Sequence, residues 1–191
     1  MDLKKFFQSE FAEHLEVART TESALQPAFA GLVMACVSAI RGGGKLMFFG
    51  NGGSAADAQH LATELTVRYK QNRAAIAALA LTTDTSALTA AANDLGFEQV
   101  FARQIEALAR PGDVAVAIST SGNSPNILAA LTQAKTMGLV TAALGGKGGG
   151  DMTADYLLVV PSDTTARIQE MHIMLGQMLC GALEVELGLA K

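Results

Sequence analysis

The sequence predicts a doubly wound α/β domain: about five parallel strands with helices on both faces, preceded by a helical pair at residues 1–41. Three observations carry this. The strand candidates at 75–81, 114–118 and 139–144 are continuous apolar runs rather than alternating ones, as strands buried on both faces are. They alternate with helical segments, which demands parallel strands and right-handed crossovers. The strands at 45–49 and 114–118 run into glycine- and serine-rich loops that open helices, and in such sheets ligands sit at the carboxyl ends of strands where the winding reverses.

The elements follow in order. Phe6, Phe7, Phe11, Leu15 and Ala18 recur at helical spacing, and a second helical pattern runs over 28–40 until Arg41-Gly42-Gly43-Gly44 stops it. Then come a strand at 45–49, a helix at 54–69, a strand at 75–81, a short helix at 84–92 and a helix at 97–109. A strand at 113–118, a helix at 124–137, a strand at 139–144, a loop and turn at 145–154, a strand at 156–160 and a helix at 164–187 complete the chain. No linker or charge block divides it. It reads as one domain over 1–191, with 1–41 serving packing or oligomerisation and 42–191 forming the α/β core. The N-terminal pair carries more apolar surface than a lone excursion needs, which favours a homo-oligomer.

Composition excludes several classes. The 191 residues are 50% hydrophobic and 17% charged, too apolar for disorder. A net charge of −4 argues against a nucleic-acid surface, which needs a basic patch. No stretch is expected to form a membrane span, and the polar N-terminus is no signal peptide, so a cytoplasmic protein is expected. Cys36 and Cys180 lie in apolar helical patterns and read as small buried hydrophobes.

The richest stretch is Gly50-Asn51-Gly52-Gly53-Ser54, between the strand at 45–49 and the next helix. Glycines let backbone N–H groups approach an anion, and the following helix N-terminus favours negative charge. The same arrangement recurs at Ser119-Thr120-Ser121-Gly122-Asn123-Ser124, where Ser124 stands at the N-cap and Pro125 suits the first turn. Capping needs only Ser124, so four hydroxyls beside a glycine point to a phosphate ester. Gly50, Gly52 and Ala55 also fit a dinucleotide fingerprint, but the acidic residue that would hold a ribose is late and off-spacing at Asp84.

On the helix after the first loop, Asp57, His60, Glu64 and Arg68 share one stripe. Glu64 and Arg68 can form an ordinary i,i+4 pair. His60 and Glu64, one turn apart beside an anion-binding loop, can equally ligate a divalent metal or act as base and partner. On the last helix Gln169, His172 and Gln177 are polar among Ile173, Met174, Leu175, Met178, Leu179 and Leu183, and His172 fits a structural role. His14 has no companions in sequence and is expected to face solvent.

Taken together, Gly50-Asn51-Gly52-Gly53-Ser54, Asp57-Ala58-Gln59-His60, Glu64-Leu65-Thr66, Arg68-Tyr69, Asn93-Asp94, the 119–124 loop and Arg167-Ile168-Gln169-Glu170 resemble phosphoheptose isomerases over nearly the whole chain. The resemblance implies a flavodoxin-like SIS domain, a cytoplasmic homotetramer with zinc in its active site. It implies conversion of sedoheptulose 7-phosphate to D-glycero-D-manno-heptose 7-phosphate, which feeds heptose into lipopolysaccharide and related glycans. By position, Asn51, Gly52, Gly53, Ser54, Ser119, Thr120, Ser121 and Ser124 would hold substrate and phosphate, Asn93 and Asp94 would line the sugar, and Arg68 would join them. His60, Glu64 and Gln169 would be metal ligands, Gln169 also touching substrate, with Glu64 the base that moves a proton between C1 and C2. Asp57 would orient His60 from behind.

The resemblance places a histidine, both fourth ligand and second acid/base, two turns beyond Gln169. Here that position is Gln177. An amide does not titrate near pH 7, and its carbonyl oxygen is a poorer zinc ligand than imidazole. His172 does not substitute, because it lies about 300° around the helix from Gln169. Initiator-associating relatives, which bind DnaA as non-enzymatic tetramers, share the Gln-Glu-Met-His stretch and lack both the catalytic histidine and the glutamate. The alternative to an isomerase is therefore a non-catalytic SIS-domain module that binds a phosphosugar or a protein partner. Retention of Glu64 favours the isomerase.

Overall fold

The computed structural model describes residues 1–190. Its elements are α1 (Leu3–Arg41), β1 (Leu46–Gly50), α2 (Gly53–Thr66), β2 (Ala78–Ala80), α3 (Thr85–Asp94), α4 (Ala102–Leu108), β3 (Val114–Ser119), α5 (Pro125–Thr136), β4 (Val140–Gly145), β5 (Tyr156–Val159) and α6 (Thr165–Glu186). The five strands are all parallel in the order β2-β1-β3-β4-β5. The winding reverses between β1 and β3, the flavodoxin-like order, so the carboxyl ends of these two strands flank the crevice where such folds bind ligands.

Side-chain alternation along the strands divides the core in two. Leu46 and Phe48 of β1, with Val114, Val116 and Ile118 of β3, pack beneath α1, α2 and α6. Met47 and Phe49, with Ala115 and Ala117, pack against α4 and α5. Both faces are covered, which is why these strands read as continuous apolar runs.

The expected helical pair is one helix of 39 residues, about 58 Å long, with Pro27 inside it. Its buried residues Val17, Thr21, Leu25, Leu32 and Cys36 keep one stripe on both sides of the proline. Continuous packing along that stripe outweighs the single N–H that proline removes. An 18-residue window of α1 also passes, by length and composition, for a membrane span, contrary to the expectation of none. Here α1 packs one stripe against α6 and β5, and 28% of that window is buried.

Other boundaries shift for local reasons. The strand expected at 75–81 shortens to Ala78–Ala80, because it is an edge strand and the N–H of Ile76 turns aside to the carbonyl of Leu65 (3.0 Å). The helix expected at 97–109 divides into a 3₁₀ turn, Phe97–Gln99, and α4. The helix expected at 54–69 stops at Thr66.

Candidate active site

β1 ends at Gly50, whose Cα lies so close to the neighbouring strand that a Cβ would sit 2.8 Å from the carbonyl oxygen of Ile118. The chain turns through Gly52, at φ 58°, into α2, whose first turn holds the buried Ser54. β3 ends at Ser119 and turns through Gly122, at φ 68°. The Gly122 N–H donates to the Ser119 hydroxyl (3.1 Å) and the Asn123 N–H to that of Ser121 (3.3 Å). Ser124 occupies the N-cap of α5 as expected, but its hydroxyl makes no capping bond. The amide of Asn51 donates to Asn126 at 2.9 Å and accepts from it at 2.8 Å. This reciprocal pair ties the first loop to the start of α5 and makes the two loops one polar surface.

α6 crosses this surface and then runs beside α2. A Cβ on Gly53 would meet the amide nitrogen of Gln169 at 2.8 Å, so Gln169 lies directly against the first loop. Two turns on, a Cβ on Gly176 would sit 2.4 Å from a Leu61 methyl. Only glycine allows α6 this close to α2 at the turn that carries Gln177.

At that seam three side chains converge. His60 Nε2 is 2.9 Å from Glu64 Oε1, the Gln177 side-chain amide is 2.8 Å from His60 Nε2, and it is 3.3 Å from Glu64 Oε1. With Glu64 ionised, no setting of the ring hydrogen and the amide pairs a donor with an acceptor along all three edges. Three mutually adjacent groups of two kinds always leave two alike. If the amide turns its oxygen inward, ring nitrogen, carboxylate and amide oxygen become three acceptors around one point. That donor set fits a borderline-soft divalent cation such as zinc. No group of three histidines, cysteines or carboxylates forms such a cluster among the described residues, so the amide is needed to complete it.

The remaining predicted residues divide. Asp57 makes no hydrogen bond to His60; burial raises its carboxyl above the ordinary range, and the neighbouring imidazole acts in the opposite sense. Arg68 lies exposed beyond the end of α2, off the stripe, and makes no ion pair with Glu64. Asn93 and Asp94 sit exposed at the end of α3, bonded to each other at 2.7 Å and to neither loop.

His172 is fully buried, and its Nε2–H donates to the carbonyl of Gly145 (3.0 Å). Burial holds its pKa below the ordinary imidazole value, against the opposing pull of that bond. It is structural, as its sequence setting suggests. His14 departs from expectation: it is half-buried with Nδ1 2.8 Å from Glu170, whose other oxygen accepts from Arg167 at 2.7 Å. Cys36 and Cys180 are buried free thiols, both pushed up to about 12 chiefly by burial. Asn126 was not anticipated, although a polar residue in the first turn after Ser124-Pro125, facing a polar loop, is a readable signal.

A family model described as SIS domain matches residues 7–146. A phosphoheptose isomerase of Paramagnetospirillum magneticum is 59% identical over 186 residues, covering 96% of this chain and 97% of that protein. One from Helicobacter pylori is 50% identical over 93% of each chain. This chain belongs to the phosphoheptose isomerase family of SIS-domain proteins. The phosphoheptose isomerase structure from Neisseria gonorrhoeae superposes with a TM-score of 0.90 at 42% identity, covering 96% of this chain and 99% of that one. The structure from Francisella tularensis gives 0.92 at 37%, covering 96% and 98%. Family membership spans the long α1 as well as the α/β core.

Proposed function

We propose that this chain interconverts sedoheptulose 7-phosphate and D-glycero-D-manno-heptose 7-phosphate, with Glu64 as the base. The observation that carries this is the meeting of His60, Glu64 and Gln177 at the α2–α6 seam beside the two tied loops. The hydroxyls of Ser54, Ser119, Thr120, Ser121 and Ser124, with the amides at the starts of α2 and α5, bind the phosphate without a cation. Asn51 and Gln169 hold the chain of the sugar, and Asn93 and Asp94 line it in the assembled protein.

Glu64 Oε1 is committed to His60 and Gln177, while Oε2 has no partner among the described residues. Oε2 takes the proton from C1 of the ketose, leaving an enediolate with its charge on O2. The O1 proton passes to O2, O1 closes to the aldehyde carbonyl, and Glu64 returns its proton to C2. Atoms and charge balance with one base. His60, Glu64 and Gln177, joined by Gln169 from the first loop's side, would hold a zinc ion, which when bound would polarise the substrate carbonyl. Gln177 cannot act as a second acid, so turnover is expected about 10²–10⁴-fold below that of an enzyme with two positioned groups.

The exposed apolar residues Phe6, Phe7, Phe11 and Leu15 on α1, and Met174 and Met178 on α6, support a homo-oligomer, which we take to be a tetramer. We place the protein in the cytoplasm, supplying heptose for lipopolysaccharide. Incubating it with sedoheptulose 7-phosphate and zinc should yield the aldose phosphate, followed by chromatography. No product above a protein-free control would overturn the isomerase and leave the phosphosugar-binding module.

A further inference from the structure

We propose that Arg73 and Glu184 are positioning residues for Glu64: their buried pair fixes the end of α2 against α6 and sets how far the Glu64 carboxylate stands from Gln177. The proposal rests on the isomerase reading above and adds residues that the site itself does not contain.

A helix leaves its last four carbonyls without intrahelical partners. In α2 two of these belong to Glu64 and Leu65; the Ile76 N–H reaches the second (3.0 Å), and no glycine or lysine among the described residues caps them. A single guanidinium reaches both: Arg73 donates to the Glu64 carbonyl at 2.7 Å and the Leu65 carbonyl at 2.7 Å. It also donates to the Ala74 carbonyl and, through Nε, to Glu184 at 3.0 Å. Both side chains are almost fully enclosed, at 1% and 2% exposure. Glu184 in turn accepts the N–H groups of Tyr69, Lys70 and Gln71, so the strap that leaves α2 is tied to the same carboxylate.

The placement on α6 matters as much. Glu184 follows Gln177 by seven residues, two turns, and shares its face. Gln177 meets the side chains of α2's last two turns, and Glu184 meets the backbone that ends them. Beside Gln177 the helices touch closely, Gly176 on Leu61, and between Gln177 and Glu184 Gly181 packs on Tyr69 of the strap that leaves α2. The distance from Glu64 to Gln177 is thus spanned by a bridge anchored on Glu64's own carbonyl. Burial opposes the ionised form of Glu184, but the backbone donors and Arg73 outweigh it and hold the carboxyl below its ordinary range.

Removing one partner of a buried pair strands the other, whereas replacing both with apolar residues of similar volume is often neutral for stability. The test therefore uses Arg73→Met with Glu184→Leu in one chain, beside Arg73→Lys, which keeps the charge but loses the planar fork. In the double variant the charges are removed together, but the Glu64 and Leu65 carbonyls and the N–H groups of Tyr69, Lys70 and Gln71 lose these side-chain partners. The expected result is a lowered melting temperature with a cooperative transition, KM little changed and kcat lower by about 100-fold, the scale of a 1 Å misplacement. Arg73→Lys should retain an intermediate kcat, and it serves as the test if the double variant does not fold. A crystal structure of the variant should show Gln177 and Glu64 Oε1 beyond hydrogen-bond distance. A folded variant with that 3.3 Å contact intact and kcat within about twofold of the parent overturns the proposal. If the parent itself shows no turnover, the isomerase reading fails, and the crystallographic separation alone still decides whether Arg73 and Glu184 position Glu64.

Discussion

In the loops after β1 and β3, Asn51 and Asn126 satisfy each other's amides, and serine hydroxyls accept from the loop's own N–H groups. In the seam between α2 and α6, by contrast, His60, Glu64 and Gln177 crowd one point where one contact always pairs like with like. The loops are closed on themselves and neutral, which suits a surface that binds and releases a phosphate ester repeatedly. The seam is left open to a cation or a moving proton. On the proposed reading, binding and proton transfer lie on different elements of the fold, and substitutions should separate them.

The largest separation should come from Glu64→Gln. It keeps the shape of the seam and removes the only carboxylate in it. Turnover should fall by about 10²–10⁴-fold, while binding of the sugar phosphate, followed by calorimetry, stays near the parent value. A comparable loss of binding would mean that the two regions are not independent.

Gln177→His sharpens the same contrast from the other side. It supplies a titratable group where the amide now touches His60 and Glu64, and kcat should rise by about 100-fold, toward a two-base mechanism. Steady-state rates with KM unchanged would locate the defect in the seam. An unchanged kcat would show that the amide is not what limits this enzyme.

A smaller effect is expected where the loops are joined. Asn126 is buried, and Asn126→Ala strands the Asn51 amide at a cost of about 1–3 kcal/mol in stability. KM should rise with little change in kcat, the reverse of the seam variants, and urea unfolding reports the stability term.

Much of this was readable beforehand because it rests on local chemistry. Gly52 and Gly122 at positive φ, the apolar strands, and His60 and Glu64 one turn apart each show themselves within a few residues. What was not readable rests on long-range contacts. Continuous packing carries α1 through Pro27. The end of α2 at Thr66, which takes Arg68 off the stripe, is set by Arg73 and by Glu184 111 residues later in the chain. Glu170 and His14 meet across 156 residues. The glutamine at 177, where the resemblance places a histidine, is by contrast legible at one letter.

The smallest predicted effect concerns His172, which separates stability from both halves of the site. Its Nε2–H holds the Gly145 carbonyl at the end of β4, and its Nδ1 is buried without a partner among the described residues. Protonation would place a charge and an unpaired N–H in the core, so the folded state favours the neutral ring and its pKa lies below the unfolded value. A depressed histidine pKa means that the unfolded chain binds more protons, so stability falls as pH drops below about 6.5. The slope is at most one proton's worth, about 1.4 kcal/mol per pH unit, and it ends at the folded pKa. The carboxylates with lowered pKa values, Asp113, Asp155 and Glu184, act only in a more acidic window, below about 4.5. His172→Gln keeps a donor for Gly145 and removes the titration. Urea midpoints at pH 7.5 and 5.5 should therefore differ for the parent and lie closer together in the variant. Equal shifts in both would assign the acid sensitivity elsewhere in the chain.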